Sequence, residues 1–230
     1  MVELFFQDTA TLVADLADRI GRSLQEHIDA HGRASLVVSG GSTPKSLFIT
    51  LSAVDISWRE VVITPVDERW VAPSSPDSNE QLICRYLLRG RAAAATFVGL
   101  KNFFPTAAQG EGECELKLRK LPRPFTVLVL GMGNDGHTAS LFPGSPRLAA
   151  ATDMDSGKIC MALTPADAPY ERMTLTLPAI LDSREIFLHI TGEQKKAVLQ
   201  KAREAGPAED LPIRFILRQQ VCPVTVCWAP

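Results

Sequence analysis

Apolar positions recur along this chain in two distinct rhythms. After Asp8, the residues Leu12, Leu16, Ile20, Leu24 and Ile28 recur every four positions, with Asp15, Asp18, Arg22 and Gln25 between them and Gly32 at the end. That is the stripe of an amphipathic helix with a polar start and a glycine stop. Residues 34–38 instead form a compact run, Ala-Ser-Leu-Val-Val, as expected of a strand buried on both faces. Comparable runs predict strands at 2–6, 60–66, 96–99, 125–130, 159–163, 173–177, 186–190 and 224–228. Helices are predicted at 45–51, 79–88, 105–120, 193–203 and 212–219, and a Pro/Ser-rich loop at 72–78. Strands alternating with helices predict an α/β fold with a central, mostly parallel sheet and helices on both faces. One domain over 1–230 is the simplest organisation, with a small appended lobe near 141–185 as the variant to check.

Composition narrows the partners. Of 230 residues, 46% are hydrophobic and 22% charged, with a net charge of -2. No strong basic field exists to hold a nucleic acid or an acidic membrane, so any bound anion has to be held by a few placed donors. The cysteines (Cys84, Cys114, Cys160, Cys222, Cys227) are odd in number and form no C-x-x-C pair, and most lie among apolar neighbours. Reduced thiols in a reducing compartment are expected. The first residues lack the basic segment of a signal peptide, and no apolar run reaches the ~20 residues of a membrane span. A cytoplasmic protein is the expectation.

Four segments carry candidate chemistry. Ser39-Gly40-Gly41-Ser42-Thr43-Pro44 joins a strand to a helix. Its glycines permit close backbone approach, and free N–H groups at a helix start attract anions. A plain helix cap by Ser42 or Thr43 is the competing reading. Gly131-Met132-Gly133-Asn134-Asp135-Gly136 follows the most apolar strand and spells G-x-G-x-x-G. The helix that a dinucleotide site needs is cut short by Pro143-Gly144, which argues against nicotinamide or flavin. The same segment sets Asp135 two residues before His137 on a glycine-flanked turn. A carboxylate beside an imidazole fixes its orientation and suits it to general-base work. His27 and His31 fall on the first helix and its end, and His189 falls inside a strand, where a hydrogen-bonded packing histidine is expected.

Asp67-Glu68-Arg69-Trp70 ends another strand, either as ligand-facing charge or as a structural salt bridge with Trp70 on the surface. Arg172, before a strand, and Lys195, near a helix start, are isolated cations. A lysine at that end of a helix gains from a nearby anion. No His/Cys cluster has zinc spacing and no G-x-S-x-G elbow occurs, so neither a metal, a cofactor nor a covalent nucleophile is expected.

Taken together, SGGSTP at 39–44, VDERWV at 66–71, PDSNE at 76–80, GMGNDGHTASLFPG at 131–144, ERMTLTLP at 171–178 and TGEQK at 191–195 resemble the 6-phosphogluconolactonase family. That resemblance implies a modified Rossmann-like α/β fold and hydrolysis of 6-phospho-D-glucono-1,5-lactone in the oxidative pentose phosphate pathway. It implies His137 as the base with Asp135 as its neighbour, and Arg69 in the same pocket. It places the sugar phosphate on Gly41, Ser42, Thr43, Arg172 and Lys195, with Lys196 as the alternative lysine. The only partner expected is a small sugar-phosphate lactone, with no nucleic acid or membrane. The oligomeric state is open, a monomer being the simpler expectation. The related glucosamine-6-phosphate deaminases are the main alternative. They use a base at the position of Asp67, but carry an aromatic at that of Arg69 and a glutamate at that of Phe142. A non-catalytic sugar-phosphate sensor is the third reading, against which the presence of His137 and Asp135 counts.

Overall fold

The computed structural model describes residues 1–165 and 169–230. Helix α1 (Thr9–His31) follows strand β1 (Val2–Phe5). Asp8 caps α1 by accepting the Thr11 N–H at 2.7 Å, and Gly32 ends it at φ 79°, donating to the Ile28 carbonyl. Only a residue at ease in the left-handed region closes a helix that way. The stripe Leu12, Leu16, Ile20, Leu24 and Ile28 is buried. Each such side chain contributes about 1.5–3 kcal/mol on leaving water.

The chain continues through β2 (Ala34–Val38), α2 (Pro44–Leu51), β3 (Val61–Pro65), β4 (Asp67–Arg69), α3 (Asn79–Tyr86), β5 (Thr96–Phe97), α4 (Ala107–Leu118) and β6 (Val127–Leu130). Then come α5 (Leu148–Thr152), β7 (Cys160–Leu163), β8 (Arg172–Leu175), α6 (Leu177–Leu181), β9 (Ile186–Thr191), α7 (Glu193–Arg203), α8 (Ile213–Arg218) and β10 (Val224–Ala229). Seven strands form one sheet in the order β1-β10-β9-β6-β2-β3-β5, and every pair in it is parallel. One face packs on α1, α2 and α3, the other on α4, α7 and α8. The expected α/β architecture is therefore present. No helix among the described residues is long and apolar enough to cross a membrane.

A second sheet of three antiparallel strands, β4-β8-β7, packs into the core on the α4 face. It explains where the sequence expectations fail. The strand predicted at 60–66 is β3 of the large sheet, but the chain turns at Val66, and Asp67–Arg69, read only as the end of that strand, form a separate strand that pairs with β8. The strand expected at 173–177 ends at Leu175, because Pro178 sits in the first turn of α6, a helix that the strand-like pattern concealed. The lobe expected near 141–185 thus borrows its β4 edge from residues 67–69.

Trp70 and Glu68 correct the surface-salt-bridge reading of their segment. Trp70 is buried, and its indole donates to the Phe104 carbonyl at 3.1 Å. Glu68 is fully buried, and no salt bridge to it occurs among the described residues. Its carboxylate accepts from the N–H groups of Arg69, Asn79 and Glu80 and from the Ser78 hydroxyl, at 2.7–3.0 Å. Burial raises its pKa, and these hydrogen bonds offset only part of that rise. One side chain therefore holds the start of α3 against β4. Glu68→Ala leaves those donors buried without an acceptor and should cost about 3 kcal/mol. Urea unfolding measures this, and an unchanged midpoint would show that the donors find other partners.

Candidate active site

In the seven-stranded sheet the chain runs from β2 outward through β3 to β5, then returns to β6 on the other side of β2 and proceeds to β9 and β10. The connections after β2 and β6 consequently part in opposite directions. A crevice opens between them at the carboxyl ends of the strands, where open α/β sheets bind ligands. A cleft of about 260 Å³ lies there, lined by the 39–44 turn, the turn after β6, and side chains from β4, α3, β9 and α7.

The 39–44 turn is fixed on both sides. The Ser39 hydroxyl accepts the Gly131 N–H at 3.2 Å, and the Ser39 N–H donates to the Val129 carbonyl at 3.0 Å. Gly41 has φ 96° with open space around it, and a side chain at Gly40 would collide with Asn79. The capping role considered for Ser42 and Thr43 is not realised. Thr43 is already helical, and neither side chain caps α2. Gly41, Ser42 and Thr43 all line the cleft.

The turn after β6 is built around His137. Its Nδ1 lies 2.6 Å from the Asp135 carboxylate, which also accepts the His137 backbone N–H. A Cβ on Gly133 would fall 2.1 Å from Nδ1 and 2.3 Å from that carboxylate, so only glycine leaves room for the pair. The Phe142 ring stacks on the imidazole at 4.2 Å. Burial pushes the Asp135 pKa up, but the hydrogen bonds and charge of His137 outweigh this, and the net shift is downward. Asp135 is thus held as a carboxylate and orients the ring through Nδ1, which leaves Nε2 out of this contact.

Asp67 lines the cleft from β4, with one carboxylate oxygen 2.6 Å from the Ser140 hydroxyl and the other accepting from Asn79. Arg69 also lines it and donates to the Asp77 carbonyl at 2.6 Å, which anchors the 72–78 loop. Tyr170 donates to the Asp77 carboxylate in the same loop. Lys195 lines the cleft from the first turn of α7. Burial lowers its pKa, and the charge of Asp135 opposes that. Lys196 is directed elsewhere, its ammonium 4.0 Å from the Trp228 ring centroid.

Two predicted site residues do not line the cleft: Asp135, which reaches it only through His137, and Arg172. The β4–β8 pairing sets it directly opposite Arg69, and its guanidinium is buried 6.0 Å from the Phe142 ring centroid. Burial and then the Arg69 charge lower its pKa. One of its nitrogens, Nη1, is buried with no hydrogen-bonding partner among the described residues.

Sequence reasoning missed Ser140 and Asn79, which hold Asp67, although both sit inside the quoted motifs. It also misjudged His189. That imidazole is 3% exposed, yet neither ring nitrogen has a partner among the described residues, and it lines the cleft. An unpartnered buried polar group costs about 1–3 kcal/mol. The available signal was its place as the sole ionisable residue in the apolar run of β9.

With this geometry in hand, comparison with known proteins assigns the chain. The fold and cleft are those of an open α/β protein with its ligand site at the sheet's switch point. A model of the family described as glucosamine-6-phosphate isomerases/6-phosphogluconolactonase matches residues 7–228, and the chain belongs to that family. The 6-phosphogluconolactonase of Rhizobium meliloti (strain 1021) is 40% identical over 98% of this chain and 97% of its own. That of Mesorhizobium japonicum is 43% identical over 98% and 94%. The crystal structure of a 6-phosphogluconolactonase from Shewanella baltica OS155 superposes with a TM-score of 0.98 at 47% identity, covering 100% of this chain and 98% of that one. A monomeric glucosamine-6-phosphate deaminase, 19% identical with a TM-score of 0.80, shares the fold alone.

Burial pushes the His189 pKa down to about 4, from 6.5. Its folded pKa lies below its unfolded one, so its contribution to stability is complete above pH 6.5 and is lost as pH falls toward 4. Chemical denaturation at pH 7.5 and 4.5 should therefore show the His189→Leu variant losing about 2 kcal/mol less than the unaltered chain. Equal losses in both would mean that His189 protonates freely in the folded state.

Proposed function

We propose that this chain hydrolyses 6-phospho-D-glucono-1,5-lactone to 6-phospho-D-gluconate, which makes it a carboxylic ester hydrolase. The observation that carries the reading is the His137–Asp135 pair at 2.6 Å, with His137 lining the same cleft as the 41–43 turn and Lys195. The similarity of full-length relatives named 6-phosphogluconolactonase supports the same substrate.

In this proposal the substrate's phosphate docks on the backbone N–H groups and hydroxyls of Gly41, Ser42 and Thr43 at the start of α2, and on Lys195. Lys195 is preferred to Lys196, whose charge is engaged with Trp228. Arg172, set back behind the cleft lining, adds positive potential from a guanidinium whose Nη1 has no partner among the described residues. So anchored, the lactone carbonyl lies near His137. Nε2 takes a proton from a water molecule as its oxygen bonds to the carbonyl carbon, and Asp135 stabilises the imidazolium that forms. The developing oxyanion falls to Arg69 rather than to the turn amides. The N–H groups of Gly131, Gly133, Gly136 and His137 are already committed within the protein, whereas Arg69 spends one nitrogen on Asp77. Collapse of the tetrahedral intermediate breaks the bond to the ring oxygen, which takes the proton back from His137, and the new carboxylic acid ionises.

A lactone ester is an activated acyl group, so positioning plus one general base, worth about 10²–10⁴-fold, is enough. The deaminase alternative fails on Phe142. An apolar ring packed on His137 stands where the resemblance requires a glutamate for ring opening, and it transfers no proton.

Proton release from freshly made lactone tests the proposal, with a boiled control for spontaneous opening. Fast release is expected from the unaltered chain without added metal or nucleotide. His137→Ala should lower kcat about 10²–10⁴-fold with a small change in KM. Lys195→Ala should do the reverse, raising KM about tenfold or more. No acceleration over the boiled control discards the reading, and glucosamine 6-phosphate with ammonia detection is then the substrate to assay.

A further inference from the structure

His189 lies at a defined height in the sheet. The β6–β9 register pairs Leu130 with Leu188, so the next residues, Gly131 and His189, are level. The β2–β6 register pairs Val38 with Val129, which brings Gly40 level with Gly131 two residues later. Gly40, Gly131 and His189 thus stand side by side across three adjacent strands at the carboxyl edge, about 4.8 Å apart per strand. Side chains alternate along each strand, so level residues in parallel neighbours share a face. Val38, Val129 and Phe187, each two residues earlier, all pack into the core beneath α1 and α2. His189 therefore projects to the α2 side, toward the end at which α2 begins. The glycine between them contributes no side chain, and a Cβ there would meet nothing within 4 Å.

We propose that His189 is a further substrate-binding residue, an imidazole facing the α2 N-terminus across Gly131 that donates a hydrogen bond to the phosphate held by the 41–43 turn. The inference rests on the proposed function and adds a residue to its phosphate end. Its warrant is the unpartnered ring on the cleft lining, 3% exposed, combined with the register that aligns it with the turn. Burial keeps the imidazole neutral at neutral pH, with one N–H to give and no charge to be neutralised in the free chain. Lys195 lines the same cleft, and no group among the described residues offers either ring nitrogen an acceptor. A phosphate oxygen does, and a neutral donor discriminates for that oxygen without adding another buried cation beside Lys195.

The test is calorimetric titration of inorganic phosphate and of 6-phosphogluconate into the unaltered chain, His189→Leu and His189→Gln, with circular dichroism to confirm folding. His189→Leu should weaken binding of both anions about tenfold or more, the value of one hydrogen bond to a charged group. His189→Gln, which keeps a side-chain N–H, should recover part of it. With the phosphorylated lactone the loss should fall on KM rather than kcat, and with unphosphorylated glucono-1,5-lactone it should vanish. Anion affinities within twofold of the unaltered chain in a folded His189→Leu protein would overturn the assignment and leave His189 a packing residue. Phosphate binding that depends on His189 in a chain with no lactonase activity would sustain the assignment while the hydrolase reading fell. No anion binding by the unaltered chain would overturn the assignment, and lactone opening no faster than the boiled control would overturn the hydrolase reading with it.

Discussion

A parallel sheet delivers the carboxyl end of every strand to one edge, and here the chain reverses its direction of travel between β2 and β6. Everything at the candidate site follows from that reversal. The turn after β2 presents the start of α2, the turn after β6 presents His137, and β9 with α7 presents His189 and Lys195. The two turns do not drift apart, because Ser39 bonds to both Val129 and Gly131. The distance between the anion-holding end and the base is therefore set by backbone hydrogen bonds and strand spacing rather than by flexible side chains. That is the kind of placement that makes a single general base effective.

The small antiparallel sheet supplies what the large one lacks. By leaving the large sheet at Val66, the chain brings Asp67 and Arg69 to the cleft and pairs them with β8. Glu68, pointing the other way, ties the same three-residue strand to α3. One short strand thus serves the site with alternate residues and the core with the residue between, as the period of two in a strand dictates. Asn79 joins the two roles. It donates its N–H to Glu68 and its side-chain amide to Asp67, and it occupies the space that Gly40 leaves open.

The legible parts of the sequence were those governed by local rules. The α1 stripe, its Asp8 cap and its Gly32 stop are local, and so is the glycine-lined turn holding Asp135 and His137. What escaped was decided by partners distant along the chain. The strand at 60–66 was legible, but nothing within it shows that β8, more than a hundred residues later, captures Asp67–Arg69 as a strand of its own. The helix at 177–181 went unread because its apolar run is short, and short apolar runs do not reveal their period. His189 was misjudged for a similar reason. A lone polar residue in an apolar strand is ordinarily satisfied by a neighbour, and only the level of Gly131 beside it shows that no neighbour reaches it.

Charge in the cleft is arranged against the free chain. Burial lowers the pKa of Lys195, and burial with the Arg69 charge lowers that of Arg172, so both cations are less stable here than in water. Arg172 and Arg69 face each other across an antiparallel pair, where like charges repel. The nearby carboxylates offset this only in part: Asp67, Glu68 and Asp77 act to raise the Arg172 pKa and Asp135 that of Lys195, yet both stay lowered. On the proposed function a dianionic ligand would relieve these strains together, screening the arginines, pairing Lys195 and accepting from the donors of Arg172 and His189 that have no partner among the described residues. Affinity for a phosphate ester would then draw on tension already present in the folded protein, so a net charge of -2 would be no obstacle to selecting an anion without a basic surface. On the same proposal the neutral lactone ring draws on none of that tension, which would leave the His137–Asp135 pair to stabilise the transition state.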